Sequence, residues 1–234
     1  MALPTLETAI YELELPSTGE TIHYRPFLVK EQKLLMIAQE SENEKVVEKA
    51  FADIISDCVE EKIDAYKMPL FDIEYVFLKL RGKSMGETVD LEVVCPDDEE
   101  TKVQVKVNLD EIEVLTHEDH TLDISLTDDI KLVMKYPTLK EMSKFDNKGY
   151  VKSVFAVIRD CIAEVHDGEN IHMMVDITAK EMDAFIESMT TQHFEKVNRF
   201  FETMPKLQHE IEVTNPNTKK KGTVLVQGLE SFFV

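Results

Sequence analysis

Tryptophan is absent from this 234-residue chain, and both cysteine (three) and glycine (seven) are scarce. So little glycine leaves few phosphate-cradling loops. There is no Walker-type or dinucleotide-binding glycine pattern, no Gly-x-Ser-x-Gly elbow for a nucleophilic serine and no calcium-loop spacing. Cys58, Cys95 and Cys161 are odd in number and lack zinc-ligand spacing, so no disulfide framework fits and a reducing cytoplasm is the natural compartment. No apolar run reaches the roughly 18 residues of a membrane span, and no basic leader precedes an apolar stretch; neither membrane insertion nor secretion is expected. Positive charge is also short. Against 46 Asp and Glu stand only 26 Lys and Arg, a formal net charge of −20 concentrated before His117. Direct binding to a phosphate backbone is disfavoured, because that affinity comes largely from cations that release counterions.

What the chain does have is an apolar content of 43%, enough for a real core without staples, and a short phrase written twice. Residues 55–61 read ISDCVEE and residues 158–164 read IRDCIAE. Around the first, Val47, Ala50, Phe51, Ile54, Ile55 and Cys58 recur at steps of three and four; around the second, Val154, Val157, Ile158, Cys161 and Val165 do the same. Both thiols therefore fall on the apolar stripe of an amphipathic helix. A reactive thiol needs an electropositive, partly open setting, which Asp57 and Asp160 oppose, so the cysteines read as small hydrophobes of the core.

The correspondence extends along the chain. IYELELPSTGETIHYRP at 10–26 and LDISLTDDIKLVMKYP at 122–137 each read as a β-hairpin entering a helix, with Pro26 opposite Pro137 and Leu28 opposite Leu139. After the Asp-Cys helices, PLFDIEYVFLKLR at 69–81 corresponds to HFEKVNRFFETM at 193–204. The second copy carries one more helix, opened by a capping box of Thr178 and Glu181. Each half closes on a hairpin, 91–111 and 211–231, with Pro96 opposite Pro216 and Leu109 opposite Leu229. The expected fold is α+β: two tandem related modules, 1–115 and 116–234, each hairpin, helices, hairpin, joined near 114–121. Two-stranded hairpins are marginal alone, so these should pack on helices, pair with each other or be completed by a partner.

Few residues nominate chemistry. His117-Glu118-Asp119-His120 has two imidazoles three apart, but lies between strand-like runs without further ligands; a solvated linker is the reading, against a metal site. Cys95-Pro96 resembles half a zinc knuckle whose second half is missing. His166-Asp167-Gly168 and His172 sit in or beside a loop with no nucleophile near. No cofactor, metal or catalytic residue is assigned, and an enzyme is not expected; a hydrolase using carboxylates would need two acids of disturbed pKa converging in a cleft. The residues singled out as candidate protein contacts lie at equivalent hairpin tips: Asp97, Asp98, Glu99 and Glu100 in one copy, Lys219, Lys220 and Lys221 in the other. Opposite charge there suits a head-to-tail contact between subunits or a charged partner; the competing reading is that both tips are simply solvated. Phe194, Phe200 and Phe201 have two fates as well, core or contact surface, and helical spacing favours core.

Two stretches, LPSTGETIHYRPFLVKEQKLLMIAQES at 15–41 and FDIEYVFLKLRGKSMGE at 71–87, resemble the baseplate proteins of T-even-type contractile-tailed bacteriophages, a family that includes the baseplate hub subunit and the hub assembly protein. The resemblance continues more loosely over most of the chain. It implies a tail-morphogenesis protein made in the host cytoplasm, retained in the virion baseplate or released after assembly, with other hub or tail proteins as partners, the tape-measure protein among them, and homo-oligomers allowed. It supplies no catalytic or cofactor residues. An acidic adaptor that sequesters a basic protein, with no role in a tail, is the alternative.

Overall fold

The computed structural model describes residues 6–41, 44–142 and 149–228. The fold is α+β, with small antiparallel sheets and helices divided between two units. No helix among the described residues is long and apolar enough to cross a membrane.

The first unit comprises Met1–Leu115 and Lys206–Val234. Its elements are the hairpin β1 (Tyr11–Glu14) and β2 (Thr21–Tyr24), helices α1 (Val29–Gln39), α2 (Glu44–Cys58) and α3 (Leu70–Met85), the hairpin β3 (Thr88–Val94) and β4 (Lys102–Asn108), and the short strand β5 (Glu113–Leu115). Helix α3 is apolar nearly all round, the signature of an interior helix: Phe71, Ile73, Val76, Phe77, Leu78 and Leu80 are all buried. The Phe77 ring meets Phe51 at 4.4 Å and Phe27 at 5.5 Å between centroids. Two buried polar side chains on the same helix are satisfied. Asp72 accepts from the Ser17 N–H at 3.1 Å and from the Ser17 hydroxyl, tying the β1–β2 turn to the start of α3. Lys79 Nζ donates to the carbonyls of Leu109, Asp110 and Ile112 at 2.9–3.2 Å, closing the 3-10 turn that precedes β5.

The second unit is Thr116–Pro205. Strands β6 (Asp123–Ser125), β7 (Ile130–Met134), β8 (Ile162–Asp167) and β9 (Asn170–Met173) form one antiparallel sheet in chain order, with helices α4 (Leu139–Met142), α5 (Tyr150–Cys161), α6 (Ala179–Glu187) and α7 (Thr191–Thr203). Its core joins Leu132 and Met134 of β7, Ile158 and Cys161 of α5, Ile162 of β8, Met182 of α6, and Val197 and Phe200 of α7. Phe200 is core; Phe194 and Phe201 pack half-buried against it. The Thr178–Glu181 capping box is present at the start of α6.

The division of the chain differs from 1–115 and 116–234. The closing hairpin, β10 (Lys206–Thr214) and β11 (Lys221–Gln227), lies in the first unit. Strand β10 pairs with β5, Lys206 opposite Leu115, Leu207 opposite Val114 and Gln208 opposite Glu113, making the three-stranded order β11-β10-β5. Val114 and Leu115, at the start of the expected linker zone, belong to the strand that recruits it. His166 and Asp167 end β8 beside a two-residue Gly168-Glu169 turn, with Gly168 at φ +61°, that leads into β9, where His172 lies.

Candidate protein-contact surfaces

Three hairpins of the first unit turn in the same way, and the turn is written in their sequences. Leu15-Pro16, Cys95-Pro96 and Asn215-Pro216 each open it, proline fixing φ at the second position. The residue three beyond proline then turns left-handed: Gly19 at φ +71°, Glu99 at +57°, Lys219 at +61°. In each, that residue's N–H returns to the carbonyl of the opening residue, at 2.8, 3.0 and 2.9 Å respectively.

The acidic and basic tips do not stand apart. Asn215, 1% exposed, donates through Nδ2 to Asp97 Oδ1 at 2.9 Å and Asp98 Oδ2 at 2.8 Å, while its Oδ1 accepts the N–H groups of Asn217 and Thr218. Thr218 Oγ1 donates to Asp97 Oδ2 at 2.6 Å, and Asn217 Nδ2 to Thr101 Oγ1 at 3.1 Å. A Cβ at Gly222 would stand 2.5 Å from Pro96 Cγ, so the backbones close up because position 222 lacks a side chain. Hydrogen bonds from Thr218 and Asn215 hold the Asp97 carboxyl below the usual range, and those from Thr101, Asn215 and the Glu100 N–H do the same for Asp98. Asp97, exposed, and Asp98, half-buried, are thus bonded within the chain to the second tip. Glu99, Glu100, Lys219, Lys220 and Lys221 remain exposed, and the three lysines make no ion pair with a described residue. They form one knob carrying both signs rather than two separate, oppositely charged ends. The sequence signal for this was Asn-Pro-Asn-Thr at 215–218, whose short polar side chains bond neighbouring backbone in turns.

The repeated Asp-Cys phrase is a joint between helix and strand. The Cys58 carbonyl accepts from the Arg25 N–H at 3.0 Å, just past β2, and the Cys161 carbonyl from the Lys135 N–H at 2.7 Å, just past β7. Beside them Asp57 bonds Lys30 at 3.1 Å and Asp160 bonds Arg159 at 3.0 Å. All three thiols are free and buried, and burial pushes those of Cys58 and Cys161 up to about 12. Such thiols carry no thiolate at neutral pH.

The histidines are similarly occupied. His120 stacks on Tyr136 and tilts against Phe200, its Nδ1 3.0 Å from Thr203 Oγ1 and its Nε2 3.1 Å from Tyr136 Oη, and burial lowers its pKa. It is a packed side chain rather than part of a solvated linker, whereas His117 faces solvent. His166 Nε2 lies 2.7 Å from Glu164, and His172 Nε2 2.8 Å from Asp167.

A comparison with protein families matches residues 8–234 to one described as T4 bacteriophage base plate protein. No curated protein and no solved structure matches.

Proposed function

The chain belongs to the T4 bacteriophage base plate protein family, and from that membership we propose that it serves tail morphogenesis as a baseplate hub subunit or hub-assembly factor, working by protein–protein contact. The observation that carries this reading is a family match running over nearly the whole chain, 8–234. In it the protein acts in the host cytoplasm, chaperones the tape-measure protein while the hub forms, and catalyses no reaction. Exposed strand edges and the mixed-charge knob of Glu99, Glu100 and Lys219–Lys221 are its contact surfaces.

The net charge of −20 favours a second reading, an acidic adaptor for a basic protein without a tail role. Co-expression with the neighbouring tail proteins, purification and mass measurement separate the two. The assembly role expects a defined complex with a hub or tape-measure protein that survives high salt. Indiscriminate capture of basic proteins, lost as salt rises, would leave the adaptor instead.

A further inference from the structure

Strand β9 is the one strand among the described residues whose every residue is exposed. It is an edge of the sheet β6-β7-β8-β9, so every second residue directs its N–H and C=O away from the sheet. Ile171 is 61% exposed and Met173 41%, on the same face, and Val175 just beyond is 88% exposed. Edges are normally blunted by lysine, proline, a bulge or short length. The opposite edge, β6, follows that practice: three residues, with Asp123 paired to Lys131 of β7 at 3.0 Å. In β9, Asn170-Ile171-His172-Met173, there is neither lysine nor proline, and its pairing with β8 is regular.

The surroundings specify what would cover it. Glu169 occupies the turn into β9, and an open cleft of about 460 Å³ runs alongside, floored by Ile177, Met182 and Phe185 and rimmed by Asp167, Asp176 and Glu181. Hydrogen bonds from His172 and Asn170 keep Asp167 ionised, and those from Thr178 keep Glu181 so. An apolar edge beside an anionic cleft repels acidic strands and admits cationic ones.

We propose that β9 is the docking edge for an extended segment of a partner protein in which apolar residues alternate with lysine or arginine. The segment adds a fifth strand to the sheet; its apolar side chains cover Ile171, Met173 and Val175, and its cations lie over Asp167, Glu169 and Asp176. A second copy of this chain is a poor occupant: its one stretch alternating lysine with valine, β4, already turns its valines into its own unit, Val107 buried and Val103 and Val105 half-buried, and the cluster Lys219–Lys221 begins in a turn and does not alternate. The inference deepens the assembly role and rests on it for the partner's source. Peptide binding tests the edge whereas co-purification tests the role, so either can fail alone.

The probe is a fluorescently labelled peptide, Lys-Val-Lys-Val-Thr-Val-Lys, titrated with the full chain and followed by anisotropy, beside a version with glutamate for lysine and one with proline at its centre. The lysine peptide is expected to bind about tenfold or more tightly than either control. Ile171→Lys and Val175→Lys, both at exposed positions and checked for folding by circular dichroism, are expected to weaken it by about tenfold. Glu169→Gln with Asp176→Asn should flatten its salt dependence. Equal binding of the glutamate peptide, undiminished binding by both lysine variants, or no binding at all overturns the proposal. So does light scattering in which the chain is a dimer that Ile171→Lys makes monomeric, since the edge would then be closed by its own copy.

Discussion

Glu31 is nearly sealed, its side chain 2% exposed, yet it is held as a carboxylate. Burial by itself would raise its pKa, but hydrogen bonds from Arg25 and Lys30 and from the Leu28 N–H prevail and lower it from 4.5 to about 2. A depressed carboxylate stabilises the fold fully above its ordinary pKa and loses that contribution as pH falls to the folded value, here from 4.5 toward about 2. The difference is worth roughly 3 kcal/mol. Glu31→Gln should therefore lower stability at neutral pH by about that amount and leave unfolding by urea less pH-dependent across the same window. Parallel pH profiles for the two proteins would remove Glu31 from the account. The sequence did not disclose this residue, because an isolated glutamate in an acidic chain looks like any solvated one. Its importance comes from Arg25, six residues earlier, whose guanidinium reaches both Glu31 and the Asp57 carbonyl at 2.8 Å.

Elements with strong local patterns were legible: α2 and α5 from their three-and-four spacing, β3–β4 and β10–β11 from alternation about a proline turn, α6 from its capping box. The β8–β9 hairpin was not. Helix α5 passes into β8 without a breaking residue, Cys161 ending the helix and Ile162 already extended at φ −81°, so the apolar periodicity runs on across the junction. The pairing of β5 with β10 was equally hidden, since three residues carry too little pattern and their partner lies some ninety positions away along the chain. The proline turns yield a prediction at this scale. Glu99 and Lys219 hold a left-handed conformation that glycine takes without strain, as Gly19 does in the first hairpin, so Lys219→Gly should raise stability by up to about 1 kcal/mol. Gly222→Ala should act oppositely, by about 1–3 kcal/mol, because the new methyl meets Pro96. Thermal melts of both variants measure this; a destabilised Lys219→Gly or a neutral Gly222→Ala would mean that the tips are not closed in this manner.

At the scale of the molecule, the chain leaves the first unit after β5 and returns to it at β10, and the residues where it does so, Leu115 and Lys206, stand directly opposite each other in the sheet. The second unit is thus inserted between two antiparallel strands at a spacing that a hairpin turn could span. Its own hydrophobic cluster is drawn entirely from residues between Ile124 and Phe200, so it holds a core without borrowing one. Two consequences follow from that arrangement. Residues 116–205 expressed alone should fold cooperatively, and a chain in which Asn-Gly replaces 116–205, joining Leu115 to Lys206, should keep the sheet β11-β10-β5. Amide exchange is the measurement: protection at Leu207, Ile211 and Val213 of β10 should persist in the shortened chain, since their cross-strand partners remain. Loss of that protection, with the isolated 116–205 also unfolded, would mean that neither unit stands by itself and that the early and late parts of the chain are held together by something other than the β5–β10 ladder.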